Sequence, residues 1–282
     1  MPRVTVFLNG QFVPEEQAVV SVFDRGFLYG DGLFETMRVF NGRIFRWEQH
    51  LARLQRGLEF LKLNVSLNPA NLRDVADRLI DENRLPDSLL RLTVSRGVGK
   101  RGYSPVGADK PTVVMSVHPA PTLSAQNGWK AVISTVRLPA GEELATHKTC
   151  SKLPQILARM EADAAGADEA LLLNTEDLVV EGASSNLFWL EGKQVCTPPL
   201  PAGILAGVTR AVVLEICHEL QIPTRESALT ARQLPGTQGA FISLSSLGIV
   251  PISSLNGREM PVSPITTQLA AAYQDLLRRE TR

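Results

Sequence analysis

Cysteine is scarce in this 282-residue chain, and its three copies, Cys150, Cys196 and Cys217, lie far apart. An odd, scattered set builds neither a disulfide framework nor a Cys-x-x-Cys metal knuckle, so a reducing compartment and three buried thiols are expected. Charge of one sign is also lacking. The 29 basic residues face 29 acidic ones with no long run of either, which removes the electrostatic footprint of a nucleic-acid binder. No apolar stretch approaches a membrane span, and Met1 to Phe7 carry no basic segment ahead of an apolar one, so no membrane association and a cytoplasmic location are expected. His50, His118, His147 and His218 show no i, i+4 pairing with each other or with a cysteine. They are therefore read as structural, with no metal site.

What is present is ordinary globular material, 44% hydrophobic and 21% charged, long enough for one large domain or two modest ones. Alternating segments at Thr5 to Asn9 and Leu33 to Phe40 predict strands, and Asn41-Gly42 ahead of Arg43 to Phe45 predicts a hairpin. From Trp47 the period changes. Leu51, Leu54, Leu58 and Leu61 predict one helix, Pro69 to about Asn83 a second, and strands return at Leu89 to Ser95 and Thr112 to His118. The turn-rich stretch 121–128 is read as a linker between an N-terminal domain, 1–120, and a C-terminal domain, 129–282. The second part alternates strand and helix: strands at Lys130 to Arg137, Ala170 to Leu173, Leu178 to Val180, Ser185 to Leu190 and Ala240 to Leu244, and helices at Leu153 to Ala165, Val208 to Leu220 and about Thr266 to Arg279. The expected class is α/β (α+β) in two domains, the N-terminal one smaller.

Gly97-Val98-Gly99-Lys100-Arg101-Gly102 fits the dinucleotide pattern G-x-G-x-x-G. The next residues, Tyr103-Ser104-Pro105-Val106-Gly107, cannot open the helix that a pyrophosphate would need. The segment is read as a mobile loop with Arg101 at its tip. Gly182-Ala183-Ser184-Ser185-Asn186 lacks the G-x-S-x-G arrangement of a serine-hydrolase elbow.

Lys148 follows a strand and a loop containing Pro139 and Gly141 and precedes the helix near Leu153, a junction that suits a lysine entering a cleft. Lys152, one helical turn further on, is a rival. Beside these lysines stand Asp168-Glu169-Ala170-Leu171-Leu172-Leu173-Asn174 and Val179-Val180-Glu181-Gly182-Ala183-Ser184-Ser185-Asn186-Leu187-Phe188. Asp24-Arg25-Gly26 through Arg38, His50-Leu51-Ala52-Arg53-Leu54, Thr197-Pro198-Pro199-Leu200 and Gly203 through Arg210 add further ordered motifs over nearly the whole chain. Together they resemble the class IV aminotransferase family, the fold-type IV enzymes that include branched-chain and D-amino-acid aminotransferases and 4-amino-4-deoxychorismate lyase.

The resemblance implies a D-amino-acid aminotransferase-like two-domain fold and pyridoxal 5'-phosphate as cofactor. Lys148 would carry it as a Schiff base, and the separation from the motif glutamate (181 − 148 = 33) suits Lys148 better than Lys152. Glu181 would hold the ring nitrogen protonated, and the freed amine of Lys148 would act as general base and acid. Arg53 would bind the phosphate, joined by Gly207, Val208 and Thr209 at a helix start and by Ser245 and Ser246, with Ser243 as a substitute. Arg101 is the candidate for a substrate carboxylate, with Tyr29, Phe34 and Tyr103 in the same substrate-binding set. The resemblance also implies a homodimer.

Within the family, Thr36, Gly57 and Ser95-Arg96-Gly97-Val98-Gly99-Lys100-Arg101-Gly102-Tyr103-Ser104 look like the lyase, whose threonine at the Thr36 position is taken as catalytic. Against it, Thr149-Cys150-Ser151-Lys152-Leu153-Pro154-Gln155 and Ser243-Leu244-Ser245 depart from the lyase pattern. The branched-chain enzymes' tyrosine is replaced by Lys152, and the D-amino-acid enzymes' arginine-x-histidine reads Arg101-Gly102-Tyr103. The expectation is a transaminase working on a small-molecule amino donor and a keto-acid acceptor, because amine exchange and a proton shift need only the machinery already located. The alternative is the lyase, releasing pyruvate and 4-aminobenzoate. A non-catalytic cofactor binder is more remote, since it would not need both Lys148 and Glu181.

Overall fold

The computed structural model describes residues 4–65, 68–121 and 128–282. They form two compact units: Met1–Pro121 with His147–Ser151 and Leu277–Arg282, and Thr122–Thr146 with Lys152–Leu276. Apart from its end residues 121 and 128, the expected linker lies outside the described residues. Two segments that sequence alone assigns to the C-terminal part, His147–Ser151 and Leu277–Arg282, belong to the first unit.

In the first unit, β1 (Thr5–Leu8) and β2 (Gln11–Pro14) form a hairpin, followed by the short α1 (Arg25–Tyr29), β3 (Gly32–Phe40) and β4 (Arg43–Ile44). Asn41 and Gly42 both take positive φ, 51° and 73°, as a tight two-residue hairpin turn requires. Then come α2 (Trp47–Phe60), α3 (Pro69–Asn83), β5 (Ser88–Ser95) and β6 (Thr112–Pro119). The sheet runs β2-β1-β6-β5-β3-β4 with every neighbour antiparallel.

Alternation along β3 decides which face is covered. Leu33, Glu35, Met37 and Val39 are buried, while Phe34, Thr36, Arg38 and Phe40 are only half-buried. The apolar members of the buried set pack with Leu54 and Leu58 of α2 and Leu72, Ala76, Leu79 and Ile80 of α3. The helix α3 starts where Asn68 accepts from the N–H groups of Ala70 and Asn71, with Pro69 in the first turn. Gly57 is a packing requirement here, because a Cβ at that position would lie 2.9 Å from the Leu33 methyls, and its glycine therefore carries no information about substrate.

The second unit contains β7 (Trp129–Leu138), α4 (Leu153–Ala164), β8 (Glu169–Asn174), β9 (Val179–Gly182), β10 (Asn186–Glu191), β11 (Gln194–Thr197), α5 (Val208–Glu219), β12 (Thr224–Glu226), β13 (Ala240–Leu244), β14 (Gly248–Leu255), β15 (Arg258–Glu259) and most of α6 (Pro264–Glu280). Its sheet runs β12-β11-β10-β13-β14-β7-β8-β9, with β15 on β14. A further pairing of β9 with β10, through Glu181 and Asn186, closes β10, β13, β14, β7, β8 and β9 into a ring. The parallel pairs β7–β8 and β11–β12 are each bridged by a helix, α4 and α5, as parallel neighbours require. Every residue of β8 is buried. Leu171 and Leu173 enter one apolar cluster with Leu187, Trp189 and Ile242, and Ala170 and Leu172 enter another with Ala158 and Ala162 of α4. A strand covered on both faces reads as a continuous apolar run, which is why its sequence does not alternate. Among the described residues, no helix is long and apolar enough to cross a membrane.

Candidate active site

Lys148 sits against the free edge of β3. The N–H of Phe34 donates to the Lys148 carbonyl over 2.9 Å, Cys150 N–H donates to the Gly32 carbonyl over 2.9 Å, and Leu33 and Thr149 form an antiparallel bridge. Residues 148–150 thus act as a short extra strand, which fixes the lysine backbone where sequence alone suggests only a loop. Its Nζ lies 4.7 Å from the centroid of the Phe34 ring. Lys152, the rival, is instead the N-terminal cap residue of α4 in the second unit.

The register of β3 against β5 pairs Thr36 with Arg91 and Phe34 with Thr93, so these side chains share the sheet face opposite the helices. The Arg91 guanidinium stacks on Phe34, 4.0 Å from its centroid. Burial pushes the Arg91 pKa below the ordinary arginine value, with Cys150 opposing the shift. A cation brought partly out of water against the ring that Lys148 also meets is a ready partner for a carboxylate, and no sequence motif marks it. Cys150, expected to be buried, is half-buried on this face, whereas Cys196 and Cys217 are buried as expected. Burial raises the Cys217 thiol to about 11 and lifts Cys196 above its usual value, so both are poor nucleophiles.

On the covered face, Arg53 is held by Glu35 of β3, an acid within the Asp24 to Arg38 motif. Arg53 Nε donates to Glu35 Oε1 at 2.8 Å and Nη2 to Oε2 at 2.5 Å, while His50 Nδ1 meets Oε2 at 2.7 Å. All three are buried, Glu35 completely. Burial alone would raise the Glu35 pKa, but the attraction and hydrogen bonds of Arg53, then those of His50, overcome it and hold the carboxyl at about 2. Burial pushes His50 down against the pull of Glu35, so a neutral imidazole donates from Nδ1 to the carboxylate. This fork orients the Arg53 guanidinium.

In the second unit, Glu181 Oε2 accepts from the Leu205 N–H at 2.9 Å, and Asn186 Nδ2 donates to the Leu205 carbonyl at 3.0 Å. The same loop leads to Gly207, the cap residue of α5, which contributes no side-chain cap to the first-turn N–H groups. Thr209, in that turn, has its hydroxyl 3.5 Å from that of Ser245, which with Ser246 follows β13. Ser243 pairs in register with Asn186, as Asn186 does with Glu181, and the Ser243 hydroxyl is buried with no partner among the described residues. Glu169 organises the turn that carries these groups. Its carboxylate accepts from the hydroxyls of Ser184 (3.1 Å) and Ser185 (2.9 Å) and from the Ala183 N–H (3.2 Å).

The loop after β5 is bonded to α1. Arg101 and Tyr103 are exposed, Tyr103 at 87%, yet the backbone beneath them is hydrogen-bonded to α1. The Tyr29 hydroxyl accepts from the Gly102 N–H at 3.2 Å, and its ring meets Tyr103 edge-on at 5.6 Å. No helix follows Gly102, so the dinucleotide reading has no structural support.

A family profile described as amino-transferase class IV matches residues 32–255. The putative branched-chain-amino-acid aminotransferase of Methanocaldococcus jannaschii is 36% identical over 275 residues, covering 96% of both chains. Among solved structures, 4-amino-4-deoxychorismate lyase from Pseudomonas aeruginosa is 34% identical with a TM-score of 0.84, covering 97% of this chain and 98% of that one. The branched-chain amino acid aminotransferase of T.th., solved with pyridoxamine 5'-phosphate, is 25% identical with a TM-score of 0.92, covering 99% and 95%. Motif order, fold and relatives agree, and the chain belongs to the class IV aminotransferase family.

Proposed function

We propose that this protein is a pyridoxal-phosphate-dependent aminotransferase that moves an amino group between an amino acid or amine and a 2-keto acid. The observation that carries the reading is the placement of Lys148, strapped to β3 with its amine over Phe34 and with Arg91 stacked on the same ring. The residues present suit the cofactor's chemistry. An uncapped helix start with hydroxyls at Thr209 and Ser245 matches a phosphate, and a buried, unpartnered Ser243 hydroxyl in register with Asn186 invites a polar ligand. When bound, pyridoxal phosphate supplies a carbonyl carbon for amines and a ring that takes up electrons from the substrate carbon.

The chain's own groups then divide the work. Lys148 is the covalent anchor and, once an incoming amine has displaced it, carries a proton to and from the substrate Cα. Glu181, fixed by the Leu205 N–H, keeps a proton on the ring nitrogen. Gly207, Val208, Thr209, Ser245, Ser246 and Arg53 serve the phosphate, with Arg53 aimed by Glu35. Arg91, Arg101 and Tyr103 are the candidates for the substrate carboxylate and its surroundings, with Tyr29 and Phe34 shaping the space.

The test is direct. The holoenzyme should show a visible absorbance band that borohydride removes, and Lys148→Ala should lose both the band and turnover of D-alanine or L-leucine with 2-oxoglutarate. A K148A protein that retained either would end this reading. One observation favours the lyase as a second reading: Thr36 stands in register with Arg91 on the lysine's face of the sheet, which supports a role for its hydroxyl in an extra proton transfer. Pyruvate released from aminodeoxychorismate without an added keto acid would select it. The working form we infer is a homodimer in the cytoplasm; the exposed apolar side chains Val22, Phe23 and Phe27 support the dimer.

A further inference from the structure

Asp24 and Arg25 of the family signature bind the loop after β5. Asp24 joins the two stems of that loop, accepting from Ser95 at the end of β5 (2.7 Å) and from Thr112 at the start of β6 (2.6 Å). Arg25, only 4% exposed, reaches into the crown. Its Nη1 donates to the carbonyls of Gly102 (2.9 Å) and Ser104 (3.2 Å), its Nη2 to that of Tyr103 (3.0 Å), and its Nε to Asp31 (2.8 Å). The Arg25 N–H adds a bond to the Gly97 carbonyl at 2.8 Å, and the guanidinium lies 5.0 Å from the Tyr29 centroid. Asp31 in turn is braced by Arg96 at 2.8 Å. Three consecutive carbonyls converging on one buried cation fix the backbone of residues 102–104, because releasing any of them would leave buried donors unpaired.

We propose that Arg25 is a positioning residue for substrate recognition: by gripping the crown of the loop it sets where Arg101 and Tyr103 are presented. The proposal rests on the reading that Arg101 recognises a substrate carboxylate. Since a planar guanidinium must meet a carboxylate edge-on to make two bonds, a crown free to move would weaken binding without touching the proton-transfer groups.

The experiment uses the holoenzyme with L-leucine or D-alanine, whichever it turns over, and the variants Arg25→Met, Arg101→Met and their double mutant. Expected for R25M is a rise in KM for the amino acid of about tenfold, the loss of roughly one charge-assisted bond, with kcat within about threefold and the cofactor absorbance unchanged. The double mutant should be no worse than R101M alone. Should R25M fail to fold, Gly99→Ala takes its place, because a Cβ there would sit 2.9 Å from Arg25 Cδ and push the side chain aside without deleting its charge. The same KM rise is expected. If R101M raises KM while R25M and G99A do not, or if the R25M and R101M effects multiply, the positioning role is overturned. If R101M itself leaves KM unmoved, the assignment of Arg101 fails and the recognition claim falls with it.

Discussion

At the scale of single residues, the chemistry depends on charges whose partners are far away in sequence. Glu35 and Arg53 are the clearest case, a buried fork in which the acid has no other role in view. Glu35→Gln would leave the Arg53 cation buried beside a neutral amide, at a cost of about 3–5 kcal/mol. Urea denaturation should show that loss, together with weaker cofactor uptake by the apoprotein. The same cluster sets a pH dependence. His50 has its folded pKa pushed down by burial, so the unfolded chain takes up a proton first as pH falls below the ordinary value of 6.5. Glu35, held at about 2 against an ordinary 4.5, adds stability that is complete above pH 4.5 and is lost between there and 2. Stability should therefore fall in two stages on acidification, and His50→Asn should remove the upper one while leaving the lower. Arg53 was legible from its motif, but Glu35 was not as its partner, because nothing in a linear sequence says which face of β3 meets which turn of α2. Arg91 was missed for the same reason: it joins Phe34 and Thr36 only through a strand register set by non-local pairing.

At the scale of elements, strongly patterned segments were readable and short or interrupted ones were not. The helix Pro69–Asn83 and the strand Ala240–Leu244 fall on the residues their caps and periodicity indicate. By contrast α1, five residues long, offers no period to detect, and β14 contains Pro251, which ordinarily argues against a paired strand. Pro251 is tolerated opposite Phe241 even though β14 has neighbours on both sides. The turn from β9 to β10 likewise depends on a side chain from another strand, Glu169 of β8. Removing the tie at its other end, Asn186→Ala, should loosen the loop that presents the Leu205 N–H to Glu181. We expect a stability loss of about 1–2 kcal/mol and a several-fold weaker cofactor affinity, read by titrating the apoprotein and following the visible band.

At the scale of the whole molecule, the sequence suggested one cut near residue 121, whereas the first unit also takes in Lys148 and the end of α6. A boundary in a chain is a statement about contacts, and these two segments carry no compositional mark of where they pack. Surfaces tell a similar story. On α4, Leu153, Ile156, Leu157 and Met160 repeat at helical spacing yet are 52–70% exposed, while Ala158 and Ala162 face the core. A second copy of the chain is the occupant that the inferred homodimer offers for this stripe. Sedimentation velocity should show a dimer for the wild type and a shift toward monomer for Met160→Asp; an unshifted dimer would place the interface elsewhere.

The closure of the six-stranded ring has its own implication. The closing pair is Glu181 with Asn186, backed by the Gly182 N–H donating to the Ser185 carbonyl at 2.7 Å. Heating that opens this pair ahead of the longer ladders would disturb the acid while the sheet persists. Turnover should therefore fade at temperatures where far-ultraviolet circular dichroism still reports intact strands, and return on cooling.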